Sequence, residues 1–449
     1  MDKVSIFYIF KANKMIKYFK KFPLLLLLFG PPVLRLDVRA ADASLRTNID
    51  IWILIQIGLF LSLGLLSLHK IISNWTTYKK FLFIKRVKNF ITILLLFIIF
   101  LFGSCFLSPN FKITFAFSFL FFITLISGIQ FTFEFISTNE VTTVDMLKTI
   151  RFVCIFLLAI VTIMLLTYPN FVSSSQQYYG LRVLGGRVAN VPLISFIILV
   201  ITCYGFIFYD SFDPKPKSIF YLFISLLFIY LAKTRAFYFT SIFFLIWIGY
   251  YAVYKQHKIS NVLVVSLMFW FFAIFGVYML FNSNQFFSFI VRGDISEQDI
   301  NSLSSGRLVI FNWVTTRIQS SPLGIGYIAG FKKEFLNLGY LNGLPTFRIG
   351  NAHNSFFEIL IGTGWGGLFF YCLLLSSVLI LAIKTLAQKT INSYLYDSDI
   401  RFLLFLFLTL IITSLVSSDF VIPTYSSFGI FWNILFLLFA LTLKKHKSH

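Results

Sequence analysis

Phe90–Leu107 reads FITILLLFIIFLFGSCFL, a run without a single charged residue. A helix needs about 20 apolar residues to cross the ~30 Å hydrocarbon core of a bilayer. Backbone placed in that core must satisfy its own amides and carbonyls, which only helices and closed barrels achieve. A barrel strand would be about ten residues long and would alternate in polarity. This run is long and continuous, so it reads as a membrane-spanning helix.

Working outward, comparable runs recur near 8–30, 50–69, 113–133, 150–168, 191–209, 218–232, 236–254, 262–281, 356–384, 402–420 and 427–443. With 90–107 they make about twelve spans. The composition agrees, with 58% hydrophobic and 12% charged residues, against roughly a quarter charged in a soluble domain. The expected fold is an all-α polytopic membrane protein of about twelve transmembrane helices, with one large outer loop between two late spans. Residues 1–281 carry the first nine spans and short loops, 282–355 form the large extracytoplasmic loop, and 356–449 carry three spans and a cytoplasmic tail. Near the N-terminus, Ala41-Asp42-Ala43 has the look of a signal-peptide cleavage site. Arg35 and Arg39 lie between it and the apolar run, which favours a retained first span.

The net charge of +21 raises nucleic acid and then sets it aside. The lysines sit in short loops, as juxtamembrane anchors do. Lys70, Lys79, Lys80, Lys85, Lys88, Lys255, Lys258, Lys384 and Lys389 all fall on one side of the span order, with Lys444, Lys445 and Lys447 of the tail. The positive-inside rule makes that side cytoplasmic. Cys105, Cys154, Cys203 and Cys372 each lie within an apolar run and read as packing residues.

The arginines sort the other way. Apart from Arg86, Arg151 and Arg401, they fall on the outer side: Arg35, Arg39, Arg46, Arg182, Arg187, Arg235, Arg292, Arg307, Arg317 and Arg348. A guanidinium fork grips phosphate or carboxylate through two parallel bonds, so an arginine-rich outer surface points to an anionic ligand. For Arg35, Arg39, Arg46, Arg292 and Arg317 the plainer reading is a solvated charge or a pair with an acid. Arg235 differs, because Lys233-Thr234-Arg235-Ala236 is a tight turn between two spans, and a charge held there is a site hypothesis.

Several motifs follow in order. Thr234-Arg235-Ala236 stands upstream; then come Ser305-Gly306-Arg307, Ile310, Trp313, Ser321-Pro322-Leu323-Gly324-Ile325-Gly326 and Asn351-Ala352-His353-Asn354-Ser355. Gly364-Trp365-Gly366-Gly367 lies inside the next span. This order resembles the superfamily of O-antigen ligases and surface-polysaccharide polymerases, over about 235–370. The spacing from His353-Asn354 to Gly364 and Gly367 matches that family's pattern. Ser321 departs from the Asn that the family often has there, and it reads as turn chemistry.

The resemblance implies a metal-independent, inverting glycosyltransferase of the outer membrane face, without cofactor. Its donor would be a glycan on undecaprenyl diphosphate, and its acceptor a sugar hydroxyl on another lipid-linked unit (polymerase) or on lipid A–core (ligase). The bacterial inner, or plasma, membrane is the implied location. The implied partners are the lipid-linked oligosaccharide, a glycan acceptor, membrane lipid and, for a polymerase, a chain-length regulator. A diphosphate leaving group gains charge as the glycosidic bond breaks, and fixed cations stabilise it. Arg235 and Arg307 lead, followed by Arg182, whose segment contains Gly185-Gly186, then Arg187 and Arg348, with Asn354 beside the substrate. His353 is the histidine assigned to the outer side, and it reads either as general base or as ligand to diphosphate or sugar. Ser355-Phe356-Phe357-Glu358 has capping-box spacing, so Glu358 reads as a cap before a catalytic acid, and Asp50 is a reserve base. The glycines 362, 364, 366 and 367 read as close helix packing. Asp397-Ser398-Asp399 imitates a metal motif but sits in a short cytoplasmic loop with no sheet domain, and is set aside. The polymerase leads because polymerases vary more in sequence. A transporter of the lipid-linked unit is the distant alternative, disfavoured by few acids within spans and no internal repeat.

Overall fold

A computed structural model of the chain describes residues 51–137, 142–167, 169, 173–176, 180–183, 190–209, 212–232, 234–254, 307–331, 334, 352–388, 394–415, 417, 420–423 and 426–447, some of them at helix ends by backbone alone. The helices are α1 Ile51–Ser73, α2 Trp75–Leu82, α3 Lys85–Leu107, α4 Phe111–Ser137, α5 Thr143–Thr167, α6 Val191–Phe208, α7 Lys215–Ala232, α8 Arg235–Tyr254, α9 Arg307–Ser320, α10 Ser355–Ala387, α11 Tyr394–Ser414 and α12 Ser426–Lys447. Among the described residues, seven helices are long and apolar enough to cross a membrane: α3 to α7, α10 and α12. The chain is therefore a multi-pass membrane protein. Helices α1, α8 and α11 lie on the expected spans 50–69, 236–254 and 402–420. The spans expected at 8–30 and 262–281 lie outside the described residues.

Two elements depart from the expectation of spans and plain loops. Helix α2 occupies a stretch too short to cross a bilayer. It buries Tyr78 and Phe81 and leaves Lys79 and Lys80 exposed. Tyr78 stacks on Phe133 of α4 at 3.7 Å. Between α5 and α6, β1 Ser173–Gln176 and β2 Gly180–Val183 pair antiparallel with Ser173 opposite Val183 and Gln176 opposite Gly180. That segment is too polar to cross the bilayer, and a hairpin pairs its backbone locally.

Two compact units divide the described helices. In the unit of residues 41–143 and 317–449, α12 is buried almost throughout and packs against α4, α10 and α11, while α10 lies along α3. A helix that is apolar all round belongs in the middle. Trp432 of α12 meets Phe121 of α4 at 5.1 Å. On the periphery Leu95, Ile99 and Phe106 are exposed, as a lipid-facing surface requires.

The two ends of this unit differ in chemistry. At one end Lys70 pairs with Glu134 at 3.0 Å, and Lys445 bonds the Thr385 carbonyl at 3.1 Å as well as Asp397. Asp397 is thus engaged by a lysine. Thr385 closes α10, and the start of that helix is about 1.5 Å per residue away along its axis. There the Ser108 turn, the Ser321–Tyr327 segment, the N-terminus of α10, Ser417 and Val421 meet. Lys70 and Lys445 thus lie at the end of this unit away from the His353 turn.

In the unit of residues 144–316, α6 is the buried centre and packs on α7 and α8. Arg151 of α5 is 4% exposed. It bonds Asp213, reaches Thr202 at 3.3 Å and lies over the rings of Phe212 at 4.7 Å and Tyr221 at 5.0 Å. The four cysteines are free, and Cys105, Cys154 and Cys203 are buried, in keeping with packing roles.

Candidate active site

Helix α10 is interrupted. Gly364 adopts φ 74° and ψ −173°, which splits the element into two helical halves. A break in a membrane helix frees backbone groups that must find other partners. The segment Pro322–Gly326 supplies them. The Ile325 amide donates to the Ile361 carbonyl at 2.9 Å, and the Gly326 amide to the Gly362 carbonyl at 3.1 Å. In return the Trp365 amide donates to the Pro322 carbonyl at 3.1 Å. The loop thus mends the helix by backbone pairing.

Such an approach tolerates no side chain. A Cβ on Gly324 (φ 87°) would lie 2.6 Å from the Gly364 nitrogen, and one on Gly364 would lie 2.4 Å from the Pro322 oxygen. A Cβ on Gly362 would sit 2.8 Å from the Tyr327 Cα. Gly366 instead faces the Phe100 ring of α3. The glycine cluster therefore does two jobs, with Gly366 serving helix packing and Gly362 and Gly364 admitting the loop. The Ser321 carbonyl accepts from the Gly324 amide at 2.8 Å, the turn expected at that position.

Tyr327 closes the loop against the unit. Its amide donates to Ser104 Oγ at 3.2 Å, its carbonyl accepts from Thr114 Oγ1 at 3.2 Å, and its hydroxyl donates to the Val421 carbonyl. Burial foremost, then the nearby Glu358 carboxylate, pushes this phenol well above its ordinary pKa. Tyr327 was not singled out in the sequence. The sequence signal that could have found it is the Pro-Leu-Gly-Ile-Gly run immediately before it.

His353 stands immediately ahead of α10, with φ 51°. Few non-glycine residues adopt that conformation, and histidine is among the more tolerant of them. The capping differs in detail from the expected box. Asn354, rather than Ser355, is the N-cap, and its Oδ1 accepts from Phe356 N at 2.8 Å and Phe357 N at 3.1 Å. Ser355 Oγ instead donates to the Ser417 carbonyl at 2.7 Å. Glu358 does reach back, but to the Ala352 amide at 2.8 Å. The box is displaced because Asn satisfies the first-turn amides as well as Ser does. The described turn therefore gives Asn354 a structural task. His353 remains partly exposed between buried Ala352 and buried Asn354.

The leading arginines share a placement. Arg235 is the first residue of α8, directly after the turn at Thr234, whose carbonyl accepts the first helical bond from Phe237. Arg307 is the first residue of α9. Of both, the backbone is described and the side chain lies outside the description. Arg182 lies on β2 opposite Ser174, also by backbone alone. A helix N-terminus already carries partial positive charge, and a cation there is of the wrong sign unless an anion joins it. Asp50, Arg187 and Arg348 lie outside the described residues. His353, Asn354 and Glu358 come together in the unit of α10; Arg182, Arg235 and Arg307 belong to the other unit. Arg317, read as an ordinary pairing charge, forks onto Glu334 at 2.7 and 2.8 Å.

Compared with known protein families, residues 220–372 match the family model described as O-Antigen ligase. The match covers about a third of the chain and contains Arg235, Arg307, the mended break of α10 and His353. No curated protein matches the chain.

Proposed function

Because residues 220–372 match the family model described as O-Antigen ligase, we propose that the chain polymerises surface-polysaccharide repeat units, of O-antigen, capsule or exopolysaccharide. The glycan leaves undecaprenyl diphosphate and joins an acceptor sugar hydroxyl at the outer membrane face. The acceptor oxygen attacks the anomeric carbon from the face opposite the diphosphate, so the configuration inverts. The C1–O bond to phosphate breaks as the new C–O bond forms, and the hydroxyl proton passes to a base. His353 is that base, or a ligand that orients diphosphate or sugar, and Asp50 and Glu358 stand in reserve. Arg235 and Arg307 take up the charge that grows on the departing diphosphate, with Arg182, Arg187, Arg348 and Asn354 on the substrate. The observation that supports this reading is that Arg235 and Arg307 each open a helix, where the free backbone amides favour an anion. The lysine-rich end, placed in the cytoplasm by the positive-inside rule, leaves the His353 turn facing the periplasm or exterior.

The family description favours a second reading, ligation of the glycan to lipid A–core. Surface polysaccharide from cells lacking the gene separates the two. Loss of a polymerase leaves single repeat units on the surface anchor. Loss of a ligase leaves full-length polymer on the carrier lipid. Unchanged surface glycan would contradict both.

A further inference from the structure

His353 is pinned from both sides. Behind it, Asn354 is tied into the first turn of α10 through Phe356 N and Phe357 N, and its carbonyl accepts from Glu358 N at 2.9 Å. Ahead of it, the Ala352 amide is tied to Glu358 Oε2 at 2.8 Å. Ala352 and Glu358 are fully buried. Between these anchors His353 holds a left-handed conformation and is partly exposed. Such a conformation is strained for a residue other than glycine, so the chain on either side must be fixed.

We propose that Glu358 is a positioning residue for His353: its buried carboxylate, closing the Ala352–Glu358 bridge, sets the left-handed turn that presents the imidazole. The proposal rests on the reading of His353 as the group that meets substrate. A direct proton-transfer role fits the geometry less well. The carboxylate is enclosed, and one of its oxygens is engaged by a backbone amide on its own side of the turn. What the site needs from residue 358 is an acceptor at the right reach, and charge is secondary. Tyr327 extends the arrangement, because its phenol lies near Glu358 while its backbone belongs to the segment that mends α10. The loop, the break and the histidine turn are thereby one assembly.

The experiment compares His353→Ala, Glu358→Gln, Glu358→Asp and Glu358→Ala in the full-length protein. It is reconstituted with lipid-diphosphate-linked repeat units extracted from the source cells. Gln keeps an acceptor at the same reach, so Glu358→Gln is expected to retain most of the wild-type kcat. Asp is one methylene short of Ala352 N, and Glu358→Asp and Glu358→Ala are expected to lower kcat on the order of 10²-fold, with the donor KM little changed. If Glu358→Ala does not accumulate in the membrane, the contrast between Gln and Asp decides. Equal loss in Glu358→Gln and Glu358→Asp, with His353→Ala inactive, would overturn the positioning role and assign Glu358 to proton transfer. Full activity of His353→Ala would remove the reading on which the proposal stands.

Discussion

The amide of Ile325 donates to the carbonyl of Ile361 at 2.9 Å, so a loop residue occupies the place of the helical donor that the break at Gly364 removes. That bond and its neighbours turn a weak point in α10 into a fixed junction between the loop and the start of the helix that carries the His353 turn.

Gly364→Ala and Gly324→Ala are expected to disrupt this junction. Both positions hold positive φ, and a Cβ at either would meet backbone at 2.4–2.7 Å. Conformational strain alone costs about 1–2 kcal/mol, and backbone cannot step aside as a side chain can. Melting of the detergent-purified protein should show a clear drop for both. Gly103→Ala, where a Cβ meets nothing within 4 Å, should match or exceed wild type, since Ala favours helix over Gly by about 1 kcal/mol. Equal melting of all three would show that the glycines do not hold the break.

His353→Asn separates shape from chemistry. Asn tolerates the left-handed region, so the turn should persist and the melting temperature stay close to wild type. The imidazole is gone, so glycan transfer should fall below detection. Wild-type transfer by this variant would remove His353 from the mechanism.

Arg151 offers a test away from the site. Truncating one partner of a buried ion pair costs about 3–5 kcal/mol, whereas replacing both by apolar residues of similar size is often neutral. Arg151→Met should therefore lower the melting temperature strongly, and Arg151→Met with Asp213→Leu should recover much of the loss. If the double variant melts no higher than the single one, Arg151 contributes through its contacts with Thr202, Phe212 and Tyr221.

Much of this was legible in the sequence, for reasons that particular residues make plain. Runs such as Phe90–Leu107 declare themselves because the bilayer leaves a backbone few options. The tight turn before Arg235 was readable because two apolar runs close on it from either side. Asn354, by contrast, stood beside a plausible Ser355 cap, and a shift of one residue leaves the same residue types in nearly the same spacing. The break at Gly364 was hidden because hydropathy does not register a single backbone dihedral inside a long apolar run. The bridge from Ala352 to Glu358 was hidden too, since spacing identifies a cap but not which amide it serves. Helix α2 fell below the length that marks a span, and its amphipathic pattern occupies only two turns.

Arg235 carries the electrostatic part of the account. Arg235→Ala should abolish chain extension while the protein still inserts in the membrane. Arg235→Lys should fail nearly as badly, because an ammonium cannot reproduce the two parallel bonds of the guanidinium fork. Immunoblots of membranes and gels of surface polymer measure the two quantities. Polymer of normal length from Arg235→Ala would rule out a diphosphate clamp at this position.

The most direct test supplies purified protein in liposomes with lipid-diphosphate-linked repeat units as the sole substrate and reads chain length on a gel. The account predicts a ladder of longer lipid-linked glycans from wild type and none from His353→Asn. No transfer by wild type, either to these units or to lipid A–core when that is added, would contradict it.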